Sequence, residues 1–187
     1  TAKADAYALE AGLIGSDITL FAVRFGRTAP GLFSEDEHQV ASTKERLTGL
    51  CDSFFKDYDM STDRDLFINL MSKYQADIAP EHLPSFFAVV DKKYKGSIER
   101  YASKMYAKSF LINEESAREF IENPSEKVLE KDLAVSAAMS ILDTYFGSME
   151  SEAQAKFDRG YRLFVKGLRE MQPNKAFYPD ANSTMRC

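Results

Sequence analysis

The sequence predicts an all-α fold, a multi-helix bundle with a short extended C-terminal tail, on three observations. Apolar residues recur at three- and four-residue steps along most of the chain. Glycine and proline are sparse, at 9 and 6 residues, whereas a sandwich or barrel of many short strands would need more turn punctuation. Helix start signals, polar capping residues and a proline at a first helical position, fall between the periodic stretches. With 187 residues, 44% of them hydrophobic and 28% charged, the chain can bury one substantial core or two small ones and is not of disordered composition; one helical domain is the simplest account, with two sub-bundles meeting near Pro80 as the alternative.

Residues 7–25 form the first periodic stretch, interrupted by Gly12 and Gly15, which permit close packing or a kink. Residues 27–32 contain Pro30 and Gly31 and read as a loop. Leu47, Leu50, Cys51, Phe54, Phe55 and Tyr58 trace one face of an amphipathic helix that ends in the polar stretch 59–63. Thr62 and Asp65 have the spacing of a capping box for the next helix, which turns Leu66, Phe67, Leu70, Met71 and Tyr74 to one side. Pro80 and Pro84 bracket the start of another helix through Phe86, Phe87, Val90 and Tyr94. Gly96 and Ser97 make a break before Ile98, Tyr101 and Met105 resume the pattern. Asn113 caps a short helix through Phe120 and Ile121.

Asn123-Pro124 repeats the start signal and predicts one long helix to about Phe146, with Leu133, Ala134, Ala138, Ile141, Leu142 and Tyr145 inward. In the last helix Phe157, Tyr161, Phe164, Leu168 and Met171 alternate steps of four and three. That is the spacing of a packing seam and predicts a core element. Beyond Pro173 the pattern stops, and residues 176–187 read as extended chain with a turn at Pro179-Asp180.

The net charge of -5 argues against a general nucleic-acid binder, which needs clustered Lys and Arg to neutralise phosphates. Lys92, Lys93 and Lys95 lie together, but acidic neighbours interrupt every longer basic run, as on a solvated helix face. No apolar run approaches the roughly 20 residues of a membrane span. Two cysteines, Cys51 and Cys187, are too few for a disulfide framework and lack metal-ligand spacing; Cys51 falls on an apolar stripe and reads as core.

Chemistry-bearing motifs are equally scarce. His38 and His82 sit in no catalytic or zinc-binding pattern. Asp57, Asp59, Ser61, Asp63 and Asp65 imitate a calcium loop, but its sixth and twelfth positions hold Thr62 and Ile68 instead of glycine and a bidentate glutamate. The pairs Gly15-Ser16, Gly96-Ser97 and Gly147-Ser148 form no nucleophile elbow. No catalytic residue, metal site or cofactor is therefore assigned, and the 9 Tyr and 14 Phe are taken mainly as core.

The C-terminal stretch carries a specific resemblance. Residues 162–173, RLFVKGLREMQP, lead into residues 177–186, FYPDANSTMR. Together they resemble the helix and return strand that close the helical insert of the dipeptidyl-peptidase VII and XI family, bacterial serine exopeptidases built on a chymotrypsin-like double barrel. Glu10, Gly12, Phe21, Ala22 and Phe25, and then Leu133, Ala134 and Val135, fit a looser pattern in the same insert.

The resemblance implies that residues 1–175 are a helical cap or insert domain, incomplete at its N-terminal end, and that residues 176–187 return toward a missing barrel domain. It also implies a parent that releases dipeptides from peptide N-termini through a Ser-His-Asp triad lying outside this chain. An insert asparagine that helps hold the substrate's amino terminus is expected before Thr1, so no substrate-binding residue is carried over. The implied partners are a peptide substrate and the missing barrel, with no nucleic acid and no membrane span; homodimerisation of the parent is left open. The implied location is the periplasm or cell surface. The competing readings of the residues are a stand-alone helical adaptor or peptide-binding domain, and a small-ligand-binding bundle.

Overall fold

The computed structural model describes residues 2–149, 152–172 and 175, and among them every regular element is helical. The α-helices are α1 (Ala2–Ala6), α2 (Asp17–Thr28), α3 (Glu37–Phe55), α4 (Met60–Asp77), α5 (Ser85–Tyr94), α6 (Ile98–Lys108), α7 (Glu114–Glu122), α8 (Glu126–Lys131), α9 (Leu133–Met149) and α10 (Glu152–Met171). A π-helical stretch, Tyr7–Leu13, continues α1, and 3-10 turns occupy Ala29–Phe33, Pro80–His82 and Phe110–Ile112. No single described helix is long and apolar enough to cross a membrane. The chain divides into two compact units, Thr1–Ser148 and Met149–Cys187.

The first unit is built on the apolar faces that the periodicity marks. Ile18, Ala22, Phe25, Leu47, Cys51, Met71, Val90, Ala138 and Ile141 are fully buried. Aromatic pairs join one element to another. Phe21 stacks on Phe54 with centroids 4.0 Å apart, Phe110 stacks on Phe120 at 4.4 Å, and Tyr74 meets Phe87 edge-on at 5.4 Å. Helix starts follow their polar caps. Asp36 accepts from the His38 amide (2.9 Å), Ser97 from Arg100 (3.2 Å), and Asn113 from Glu115 and Ser116 (2.8 and 3.4 Å). At the C-terminus of α5, Lys95 and Gly96 take left-handed conformations, and the Gly96 amide returns to the Val90 carbonyl.

The structure corrects several local expectations. Residues 7–25 are not one kinked helix: the chain turns by 90° between 2–13 and 17–33. Gly15 is needed at that corner, because a Cβ there would lie 2.7 Å from the carbonyl oxygens of Glu10 and Ala11. The predicted loop at 27–32 is helical, since α2 runs through Thr28 and Pro30 starts a 3-10 turn at a position where its missing N–H costs nothing. Asp59, not Thr62, caps α4, accepting the Thr62 amide at 2.7 Å, because the helix begins three residues earlier than the Thr-Asp spacing suggests. Asn123 ends α7 instead of starting a helix, and the expected long helix breaks at Asp132. That buried carboxylate caps α9 through the amides of Ala134 and Val135 (2.9 and 3.1 Å) and also binds Ser109 Oγ and the Phe110 amide.

The second unit corrects the seam. Phe157, Tyr161 and Phe164 on α10 are exposed at 66%, 58% and 62%, and Leu168 is half-buried, so the described stripe is not core. A four-three spacing records that one helix side is apolar; burial needs a partner, and the described residues of this unit supply no second helix. The return segment expected at 176–187, with its turn at Pro179-Asp180, lies outside the described residues.

Candidate functional site

The stretch that imitates a calcium loop does structural work. Asp63, 2% exposed, reaches from α4 to the start of α2, where Oδ1 accepts the Asp17 amide at 2.6 Å and both oxygens lie within 3.4 Å of the Ile18 amide. Tyr106 and Tyr58 donate their hydroxyls to Oδ2 at 2.7 and 3.1 Å. The carboxylate thus caps a helix more than forty residues away in sequence and faces its positive end. Burial pushes the Asp63 carboxyl above its ordinary pKa, opposed by these four donors, and burial beside Asp63 raises both tyrosine hydroxyls. Asp59 is spent on its own cap. No group of metal-ligating side chains is present among the described residues.

Nucleophilic chemistry finds no better footing. His38 and His82 are exposed, and neither imidazole bonds a hydroxyl or carboxylate among the described residues. The Cys51 thiol is buried and pushed up to about 11 by burial, which keeps it a thiol at neutral pH. Cys187 lies outside the described residues.

A large concavity among the described residues joins polar groups from several elements, between α2, the Ala29–Phe33 turn and α3. It is an open hollow of about 1080 Å³ with Val23, Pro30 and Leu50 as its apolar surface and Arg24, Arg27 and Arg46 around it. α2 turns Phe21, Ala22 and Phe25 inward, which leaves Arg24 and Arg27 together on the outer side one turn apart. α3 buries Thr43, Leu47 and Cys51 and presents Ser42, Arg46 and Gly49. Gly31 lets the turn press onto α3, since a Cβ there would come within 2.4 Å of Thr43 Oγ1. A smaller hollow of about 250 Å³ continues the first, sharing Arg24 and Leu50, and adds Asp17, Phe21, Phe54, Asp57 and Tyr58.

The two hollows form one trough with a basic end and an acidic end. No carboxylate lines the larger hollow, and none of its three arginines is ion-paired among the described residues. Arg118 shows the contrast, held by Asp52 and Glu114 on another face. A guanidinium fork fits a carboxylate bidentately, so the larger hollow is equipped to take an anionic group. Sequence reasoning did not single out these arginines. Their signal is a three-residue spacing on the polar side of α2, and Arg46 joins them only through folding.

The Peptidase S46 family model matches residues 3–187. The chain belongs to the Peptidase S46 family. It is 31% identical over 173 residues to a dipeptidyl-peptidase 7 of Porphyromonas gingivalis, covering 87% of this chain and 24% of that protein. A dipeptidyl-peptidase 7 of Capnocytophaga gingivalis is 28% identical over 155 residues, 83% of this chain and 21% of its own length. An Asp/Glu-specific dipeptidyl-peptidase of Porphyromonas gingivalis is 29% identical over 134 residues, 70% of this chain and 18% of its own length. The chain therefore spans less than a quarter of the length of these curated relatives.

Proposed function

We propose that this chain is the helical segment of an S46 dipeptidyl peptidase, capping the cleft in which the rest of the parent cuts peptides and holding no catalytic triad itself. The observation that carries the reading is the family match along residues 3–187, with described elements that are all helical and two histidines that hydrogen-bond neither a hydroxyl nor a carboxylate among the described residues. The names of the relatives supply the substrate class, peptides that lose dipeptides.

On this reading a barrel domain of the parent supplies serine, histidine and aspartate. The histidine acts as general base, and backbone amides stabilise the tetrahedral oxyanion. The helical cap positions the free amine of the substrate and excludes internal chain segments, which makes the enzyme an exopeptidase. The parent is exported to the periplasm or cell surface, and it works without a cofactor.

Incubating the 187-residue chain with chromogenic dipeptidyl substrates should give no turnover. Replacing residues 1–175 in the parent by a short linker should lower kcat/KM by about 100-fold or more through lost orientation, with the barrel still folded by circular dichroism. Turnover by the chain alone, or full dipeptide release by the deletion variant, would overturn the reading.

A further inference from the structure

We infer that the trough between α2 and α3 is a peptide-binding subsite that takes an extended segment with its acidic C-terminal half against Arg24, Arg27 and Arg46. The inference rests on the reading of the parent as a peptide-cutting enzyme and names the kind of substrate that the helical segment favours.

Length is the first argument. The trough follows α2 from Asp17 to Thr28, and those 12 residues rise about 18 Å. At about 3.3 Å per residue, an extended peptide of five or six residues fills that distance. The trough is therefore matched to a chain segment rather than to a single small anion.

Charge is the second. The protein carries 29 acidic and 24 basic side chains, yet the larger hollow holds three arginines and no carboxylate. Three guanidiniums around one hollow, with no ion pair among the described residues, repel one another, and an anionic ligand removes that repulsion. Asp17 and Asp57 at the other end reverse the sign, which favours a peptide lying with its amine side toward them and its acidic side toward Arg27 and Arg46. Leu50 and Phe54, both half-buried, offer apolar surface, while Gln39 and Ser42 add neutral donors for peptide carbonyls. The two helices that form the walls are anchored by Phe25 and Leu47, both fully buried, so binding need order only side chains and not the backbone.

The test is a calorimetric titration of the parent and of the 187-residue chain with free-ended hexapeptides. Three alanines followed by three glutamates should bind both proteins, and more weakly as salt is raised. The reversed order and an alanine-lysine peptide should bind at least about tenfold more weakly. Arg24→Gln and Arg46→Gln, exposed positions on different helices, should each weaken binding by about tenfold. Arg100→Gln, beside a hollow on α6, should leave binding unchanged.

Equal affinity for the reversed peptide, or no loss in either trough variant, overturns the inference. Binding to the short chain but not to the parent does so as well, since another part of the parent would then fill the trough. An oligonucleotide of equal charge that binds as tightly would reduce the trough to a general polyanion site and also overturns it. Turnover is not measured here, so failure of the trough leaves the dipeptidyl-peptidase reading standing, and failure of that reading leaves the affinities interpretable.

Discussion

Replacing Asp63 by alanine removes the acceptor for two amides and for the hydroxyls of buried Tyr106 and half-buried Tyr58 at once, and should destabilise the chain by on the order of 3–5 kcal/mol in denaturant unfolding. Its pH dependence has a definite sign. The folded carboxyl is raised above its ordinary 3.8, so its contribution is fully present below that value and is lost as pH rises through the folded pKa. The stability of wild type relative to Asp63→Asn should therefore increase on going from pH 7 to about pH 4; a decrease would reverse the assignment. Asp59 and Asp77, whose carboxyls are lowered by hydrogen bonds from Thr62 and Tyr7, act in the opposite direction in both proteins and cancel from the difference. Tyr74 poses the converse case: its hydroxyl is buried without a partner among the described residues, and burial pushes it up to about 12. Tyr74→Phe should raise stability by about 1 kcal/mol, seen as a higher unfolding midpoint. The sequence argues against calcium at residues 57–65 through Ile68, which cannot coordinate a cation, but it does not show what Asp63 does, because its partners lie on α2 and α6.

Among the elements, the corner between the π-helical stretch and α2 depends on Gly15. Gly15→Ala should cost about 1–3 kcal/mol, because the new methyl meets backbone carbonyls that cannot move independently. The helices differ in what a core-type truncation does. Ile141→Ala on α9 empties a fully buried position and should cost about 2–5 kcal/mol, whereas Leu168→Ala on half-buried α10 should change the midpoint of the 187-residue chain by less than about 1 kcal/mol. A large loss at Leu168 would restore the seam to the core. Helix existence was legible for most elements, through periodicity and through the Asn113 cap. Boundaries failed where a competing cap won. Asn123-Pro124 has the form of a start signal and α8 does begin two residues after it, at Glu126, but Asp132 gains four donors from two chain segments and splits the expected long helix into α8 and α9.

For the whole molecule, the sequence determined the class and the kinship. Apolar residues every three or four positions can be buried along one side only as helices, and the stretches 162–173 and 177–186 carry a resemblance that the family match along residues 3–187 bears out. It also determined that no recognisable nucleophile or metal motif is present, because such motifs need particular residue types at short spacing. Only the tertiary structure decided which charges meet. Arg24, Arg27 and Arg46 share a trough because α2 and α3 pack through Phe21 and Phe54, and that pairing is set by contacts between segments remote in the chain. Periodicity states which side of a helix avoids water, not which partner covers it. The same limit explains why the apolar stripe of α10 was legible as a stripe while its exposure was not.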